Sequence, residues 1–237
     1  FLSRLPSGVG LFETIKIEGN KPRFLNSHIN RLMKSAEKFG IFCDRDQLEY
    51  MTLREISMVC KNKRTSYKLK INLYPDSKIS VEVSEITKLK DFPKIFWASD
   101  LVGKKLGVVD SQDPLYGHKT TNRKIYDLVW EKAEYLGGFD GIFINENGFV
   151  TEGGRTNIFI KTGTYWLTPH VKSGLLPGIM RSVLINEKLQ NVQETFLQPK
   201  DIFDADEIYL CNSLRGLIKV NPVYLKEISR LPRANSY

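Results

Sequence analysis

The chain has 237 residues, of which 41% are hydrophobic and 26% are charged, and these values exclude disorder as its main state. Its 35 Lys and Arg outnumber its 27 Asp and Glu, and the formal net charge of +8 suits anionic partners. No apolar run approaches the roughly 18 residues that cross a bilayer, and residues 1–10 lack the apolar core of a secretion signal. We therefore expect a cytoplasmic protein without a membrane partner.

The remaining composition argues against metal and nucleic-acid chemistry. The three cysteines, Cys43, Cys60 and Cys211, lie far apart without CxxC spacing, which favours reduced structural thiols over a disulfide framework or a metal site. The densest basic stretch, residues 54–70, offers only Tyr67 as a base-stacking aromatic residue. We interpret this stretch as a solvated strand face, and we expect no nucleic-acid partner.

Residue periodicity in the first part of the chain predicts a small mixed lobe. β-branched and aromatic residues indicate strands, whereas apolar residues at helical spacing indicate two amphipathic helices. In chain order, the predicted elements are a hairpin over 11–17 and 22–25, a helix capped by Ser27 and stopped by Gly40, a helix capped by Asp46 with Glu49 completing a capping box, and strands at 66–74 and 79–85.

The polar stretch 88–107 predicts a domain boundary, which we place between a smaller domain, residues 1–98, and a larger one, residues 99–237. Helices and strands alternate without a regular βαβ rhythm, so the sequence predicts the α+β class. The elements predicted here are a strand at 105–109, a helix at 125–136, strands at 140–144, 148–151, 156–161 and 164–168, a helix with Pro177 at its first position, a strand at 206–211 and a final segment at 216–225.

Six short motifs interrupt these elements with polar, basic or glycine residues. Each residue taken alone has a structural explanation, such as a helix cap or a surface charge, but the order and spacing of the motifs resemble the class IV aminotransferase family from about residue 8 to 225. The motifs are Gly-Leu-Phe-Glu-Thr at 10–14, His-x-x-Arg-Leu at 28–32, His-Lys-x-x-Asn-Arg at 118–123, Glu-Gly-x-x-x-Asn-Ile-Phe at 152–159, Leu-Pro-Gly-Ile-x-Arg at 176–181 and Asn-Ser-Leu-Arg-Gly at 212–216.

The resemblance implies a fold type IV enzyme that uses pyridoxal 5′-phosphate (PLP), with two α/β lobes and a cofactor cleft between them. PLP requires an amine that carries the cofactor and moves a proton, a carboxylate for its ring nitrogen and several donors for its phosphate. By match to the motifs, the amine is Lys119, the carboxylate is Glu152, and the phosphate donors are Arg31, the backbone of Gly178 and Ile179, and Ser213, while Asn157 lines the same cleft.

Within the family, the motifs at 118–123 and 212–216 are similar to those of 4-amino-4-deoxychorismate lyases of folate biosynthesis. Such a substrate has two carboxylates, for which Arg123 and Arg215 are the candidates, although Arg123 could instead cap a helix. The alternative is an aminotransferase acting on D- or branched-chain amino acids. The resemblance also implies a homodimer, a small anionic substrate and coupling to an aminodeoxychorismate synthase.

Overall fold

The computed structural model describes residues 4–62, 64–86 and 93–221. The chain separates into two compact units. The first contains the described residues up to 86 together with His118–Asn122, and the second contains residues 93–117 and 123–221. Helices and sheets are mixed in each unit, which confirms the predicted α+β class. Among the described residues, no helix has the length and apolar character needed to cross a membrane.

The first unit contains an antiparallel sheet of four strands in the order β2-β1-β3-β4. Alternate residues of its central strands are fully buried, as a sheet with one covered face requires. Helix α1 contacts β1 and helix α2 contacts β4. The elements are β1 (Leu11–Glu18), β2 (Lys21–Pro22), α1 (Leu25–Phe39), α2 (Arg45–Val59), β3 (Tyr67–Leu73) and β4 (Ile79–Glu85).

Both predicted helices are present and Gly40 ends α1 as predicted, but both predicted N-caps are wrong. Helix α1 begins before Ser27, and its N-cap is Phe24, which has a left-handed backbone (φ 55°) and no side-chain cap. The cap of α2 is Asp44 rather than Asp46, since Asp44 accepts a hydrogen bond from the backbone N–H of Gln47 at 2.9 Å. Asp44 has the extended conformation that an N-cap needs, whereas Asp46 already lies within the first turn.

The segment His118–Asn122 joins the first unit because it pairs with β1. Leu11 and Thr120 form an antiparallel bridge, and the Phe12 N–H donates to the Lys119 carbonyl at 3.0 Å. The Thr121 N–H also donates to the Gly10 carbonyl at 2.9 Å. The predicted division, which assigned Lys119 to residues 99–237, therefore differs from the observed grouping, since sequence order conceals this long-range strand pairing.

The second unit contains two sheets. One has five strands in the order β11-β10-β9-β12-β13, and the other joins β5, β7 and β6 with β8 attached to β7. The elements are β5 (Ile95–Trp97), α3 (Ala98–Val102), β6 (Val108–Val109), α4 (Lys124–Tyr135), β7 (Asp140–Asn145), β8 (Val150–Gly153), β9 (Asn157–Thr162), β10 (Tyr165–Pro169), a 3₁₀ turn (Val171–Ser173), α5 (Ile179–Val183), a π turn (Leu184–Lys188), β11 (Val192–Thr195), α6 (Pro199–Phe203), β12 (Glu207–Asn212) and β13 (Gly216–Lys219).

These sheets enclose the apolar core of the second unit, which β7, β9 and β12 supply with side chains such as Ile142, Ile158 and Leu210. The periodicity of the sequence did not indicate β5, β11 or α6, which are three to five residues long. The predicted segment 216–225 is a strand over Gly216–Lys219, and its part beyond residue 221 lies outside the described residues.

Candidate active site

Lys119 is held on the edge of the first unit's sheet by the backbone pairing described above. Its side chain lies over a ring of β1, with Lys119 Nζ 4.4 Å from the centroid of Phe12. Phe12 is 8% exposed, so this ammonium lies against a largely buried aromatic face. Such cation–π contacts hold a cation in place without neutralising it.

His118 anchors the same segment to α1. Its Nδ1 is 2.9 Å from Ser35 Oγ, and its ring makes an edge-on contact with Phe39 at a centroid distance of 4.7 Å. Burial, together with the nearby Lys38 ammonium, lowers the pKa of His118. A neutral imidazole is therefore favoured next to Lys119, and its contacts fix the backbone from which the lysine extends.

Arg31, on α1, makes a bidentate ion pair with Glu13 of β1. Arg31 Nε donates to Oε1 and an Arg31 terminal nitrogen donates to Oε2, each at 2.7 Å. His28 Nδ1 lies 2.7 Å from the same Oε2. Burial alone would raise the pKa of Glu13, but Arg31 and His28 outweigh burial and lower that pKa to about 2. Glu13 thus stays ionised and orients the guanidinium.

In the second unit, Glu152 lies near the end of β8 and is hydrogen-bonded to Asn157, which begins β9. Glu152 Oε2 accepts hydrogen bonds from the Leu176 N–H at 3.1 Å and from Asn157 Nδ2 at 3.3 Å. Asn157 Nδ2 also donates to the Leu176 carbonyl at 2.9 Å. Glu152 is 9% exposed, so two neutral donors hold a nearly buried carboxylate in a fixed orientation.

Gly178 lies against Asn157, just before α5. A Cβ added at residue 178 would be closer to Asn157 Oδ1 than any van der Waals contact allows, so the glycine makes room for the amide. The prediction that Pro177 is the first helical residue is wrong, because Gly178 is the N-cap and Ile179 begins the helix. The extended backbone of Gly178 (φ −66°, ψ 143°) separates the proline from the helical turn.

Two tyrosines lie near Glu152 within the second unit. Burial raises the pKa of Tyr116 to about 12, and Glu152 contributes to that shift. Burial and Glu152 also raise the pKa of Tyr126, whose hydroxyl oxygen is buried. Both phenols therefore remain protonated and can act as hydrogen-bond donors beside the Glu152 carboxylate.

The two candidate substrate arginines have different surroundings. Arg123 is the N-cap of α4, and its guanidinium donates to Asp127 Oδ1 at 3.0 Å and to the Gly154 carbonyl at 2.6 Å. Arg215 lies in the turn between β12 and β13, where partial burial lowers its pKa. Asn212 Oδ1 accepts the Arg215 N–H at 2.9 Å and so shapes that turn.

The structure brings several predicted site residues together within each unit. In the first, Lys119 and Arg31 contact the adjacent residues Phe12 and Glu13. In the second, Glu152, Asn157 and Gly178 form one contiguous group, Ile179 starts the helix beside it, and Ser213 lies in the β12–β13 turn.

Sequence patterns did not indicate the buried contacts among Glu13, His28 and Arg31, and they did not single out Asp140. The Asp140 carboxylate is fully buried beneath the turn that links Glu152 to Asn157. One signal could have found Glu13 and Asp140, since Glu13 lies within a run of apolar strand residues and Asp140 lies at the start of one.

Comparison with known proteins gives the site its context. The family described as Amino-transferase class IV matches residues 10–223. An aminodeoxychorismate lyase of Vibrio harveyi is 28% identical over 93% of this chain and 85% of its own length. A "Probable branched-chain-amino-acid aminotransferase" of Thermotoga maritima is 25% identical over 89% of this chain and 76% of its own length.

A solved structure supports the same relationship. The crystal structure of a "Putative 4-amino-4-deoxychorismate lyase" from Legionella pneumophila superposes with a TM-score of 0.79 and 29% sequence identity. The match covers 93% of this chain and 84% of the Legionella chain. Because the family match spans nearly the whole sequence and includes all six motifs, the chain belongs to the class IV aminotransferase family.

Proposed function

We propose that this protein is a PLP-dependent lyase that converts 4-amino-4-deoxychorismate to 4-aminobenzoate and pyruvate in folate biosynthesis. The observation that carries the cofactor assignment is the Glu152 carboxylate, held nearly buried by the Leu176 N–H and by Asn157 Nδ2. The choice of the lyase reaction is supported by the motif at 118–123, by the motif at 212–216 and by the lyase relatives.

The residues of the chain fit PLP in three respects. Glu152 presents a carboxylate that the Leu176 N–H and Asn157 Nδ2 hold in a fixed orientation, which suits a protonated ring nitrogen. Gly178, which has no side chain, leaves room for the Asn157 amide that donates to Glu152. The phenols of Tyr116 and Tyr126 stay protonated and add donors near Glu152.

The cofactor, when bound, supplies an electron sink for the substrate carbon that loses a proton. Lys119 Nζ is the amine that would hold the cofactor, and it would move the proton at C4 of the substrate. Glu152 keeps the ring nitrogen protonated. The proposed phosphate donors are Arg31, the N–H groups of Gly178 and Ile179, and the hydroxyl of Ser213, which would act through charge-assisted and backbone hydrogen bonds. Asn157 orients Glu152.

The overall reaction balances without a co-reactant. The bond from the ring to the enolpyruvyl oxygen breaks as C4 loses its proton, and that proton ends on the departing enolpyruvyl group, which becomes pyruvate. The other product is 4-aminobenzoate, whose aromatic ring supplies the driving force. Arg123 and Arg215 are the proposed partners of the two substrate carboxylates. Arg215 suits this role because its partial burial increases the electrostatic benefit of an anionic partner.

The second candidate is an aminotransferase that acts on D- or branched-chain amino acids. The Thermotoga relative favours it, as does the family itself. The two reactions share the roles of Lys119, Glu152 and Arg31, but the aminotransferase needs a keto acid to complete its cycle. Dependence on a keto acid therefore separates the two candidates.

The test is to supply the full-length protein with PLP and 4-amino-4-deoxychorismate in the absence of any keto acid. We expect equal amounts of pyruvate and 4-aminobenzoate, measured by coupled reduction of pyruvate and by fluorescence. Lys119→Ala should abolish turnover and the adduct that borohydride traps, whereas the exposed Lys124→Ala should change neither. Rapid transamination without pyruvate release would establish the aminotransferase instead.

The proposed enzyme is a cytoplasmic homodimer that receives its anionic substrate from an aminodeoxychorismate synthase. The homodimer and the synthase are proposed from the family resemblance. The anionic substrate is also consistent with the net charge of +8. Light scattering with PLP present should give twice the 27.2 kDa chain mass. A fully active monomer would contradict the dimer.

A further inference from the structure

Asp140, the first residue of β7, is a buried carboxylate that accepts four hydrogen bonds. Oδ1 accepts the N–H groups of Gly141 and Gly154, each at 2.8 Å. Oδ2 accepts the Arg155 N–H at 3.0 Å and Thr156 Oγ1 at 2.8 Å. Burial raises the pKa of Asp140, and these donors oppose the shift. Three of the four donors belong to consecutive residues of the β8–β9 turn.

That turn joins Glu152 to Asn157, the two polar residues of the second unit's candidate site. It closes with a hydrogen bond from the Gly153 N–H to the Thr156 carbonyl at 2.7 Å. A Cβ at residue 153 would lie 2.6 Å from Asp140 Oδ2, so a side chain there would displace the carboxylate. The glycine thus allows Asp140 to reach beneath the turn and to hold it directly.

Two backbone carbonyls of the turn accept hydrogen bonds from Arg123 and Asn212 of the second unit. The Gly154 carbonyl accepts from Arg123 at 2.6 Å, and the Arg155 carbonyl accepts from Asn212 Nδ2 at 3.2 Å. The Arg155 guanidinium stacks over Trp130, with Arg155 Cζ 3.5 Å from the ring centroid. The turn that Asp140 holds is therefore connected to the α4 cap and to the β12–β13 turn as well.

From this geometry we infer that Asp140 is a positioning residue, which sets the relative placement of Glu152 and Asn157 by fixing the turn between them. What Glu152 then binds rests on the proposed function, but the placement itself does not. A structural role alone would affect only the stability of the fold. A positioning role also requires that the hydrogen bonds of the Asn157 amide change when the turn is released.

The test releases the turn through Thr156, because Asp140→Asn would place an amide N–H against backbone donors and would impair folding. Thr156→Val removes one hydrogen bond to Asp140, and Thr156→Ser retains it. Thr168→Val is the matched control, since Thr168 is also buried and its hydroxyl donates to the Ile158 carbonyl at 2.8 Å. Urea unfolding gives the stability of each variant.

The first readout is the side-chain amide signal of Asn157 in the cofactor-free, full-length protein, measured by NMR and assigned through its loss in Asn157→Asp. We expect Thr156→Val to move this signal, Thr156→Ser to leave it near the wild-type position, and Thr168→Val to lower stability without moving it. An unmoved signal in Thr156→Val, or an equal shift in Thr168→Val, would overturn the inference.

The second readout is PLP affinity, followed by the absorbance of the bound cofactor. Thr156→Val should weaken binding by roughly fivefold to tenfold, and Thr156→Ser should restore it. If the wild-type protein binds no PLP while the Asn157 signal still responds to Thr156→Val, the proposed function fails and the role of Asp140 stands. If PLP binds but affinity is the same in Thr156→Val, the positioning role fails alone.

Discussion

Arg31 binds both carboxylate oxygens of Glu13, and Glu13 is only 1% exposed. The guanidinium therefore neutralises a buried charge in addition to its proposed contact with a phosphate. A substitution at Arg31 removes both interactions at once, and its effect on cofactor binding has to be separated from its effect on folding.

We expect Arg31→Ala to lower the free energy of unfolding by on the order of 3 kcal/mol, because it leaves the buried Glu13 charge with only His28 as a partner. PLP binding should weaken by about tenfold or more. The double variant Arg31→Ala with Glu13→Gln should recover stability but not PLP affinity. Urea unfolding and cofactor titration measure the two effects.

An exposed ion pair provides the control for this experiment. Arg23→Ala removes a partner of Glu18 at the surface and should cost less than about 1 kcal/mol without changing PLP affinity. If Arg31→Ala proves as mild as Arg23→Ala in both measurements, Arg31 has neither role.

The pH dependence of stability should report the same ion pair. The pKa of Glu13 is lowered from 4.5 to about 2 in the folded protein, so the folded state favours the ionised form. This contribution is fully present above pH 4.5 and is lost as the pH falls towards 2. At about 1.4 kcal/mol per pKa unit, the total is about 3 kcal/mol. Unfolding free energies measured across this range should fall less steeply in Glu13→Gln, and equal slopes would contradict the assignment.

The sequence predicted the helices and strands of the first unit well, because apolar periodicity is a local property that β1, α1 and β3 express clearly. The caps were harder to predict, since Asp44 and Asp46 are both suitable residues and only the backbone conformation decides between them. Short elements such as β5 and α6 contain too few residues for a period to show.

The candidate site was predicted from its motifs and not from its hydrogen bonds. The assignments of Lys119 and Glu152 come from the resemblance of their motifs to the family. By contrast, the Asp140 contact with the turn at 154–156 joins residues 14 to 16 positions apart through a fold that local patterns do not specify. The pairing of residue 10 with residue 121 spans 111 positions and is still harder to predict from sequence.

Gly178→Ala tests the close approach of the α5 cap to Asn157. The new Cβ would displace the Asn157 amide and with it the hydrogen bond to Glu152, so we expect weaker PLP binding and a stability loss of about 1–3 kcal/mol. Gly163→Ala is the control. Its Cβ meets open space but its φ is +57°, so it should lose about 1 kcal/mol by backbone strain and keep its PLP affinity. Equal affinities in the two variants would show that Gly178 has no part in the site.

Substitution of the two candidate substrate arginines should give different results. Arg215→Leu should raise KM for 4-amino-4-deoxychorismate while leaving stability and the absorbance of bound PLP nearly unchanged. Arg123→Leu should also lower the unfolding free energy, by about 1–3 kcal/mol, because it removes hydrogen bonds to Asp127 and to Gly154. The exposed Arg54→Leu serves as the control for charge. Unchanged kcat/KM in Arg215→Leu would exclude this residue from substrate binding.

The pairing of His118–Asn122 with β1 also has a consequence for the order in which the protein folds during synthesis. Once residues up to about 86 have emerged from the ribosome, all of the strands β1–β4 can form. The edge of β1 that pairs with the Lys119 segment still has no partner strand at that stage. Synthesis at roughly 5–20 residues per second delays that last segment by a few seconds. The proposed catalytic amine of Lys119 therefore reaches its place only after the rest of its sheet has been translated. A nascent chain that is stalled near residue 100 should form the four strands but lack the Lys119 segment.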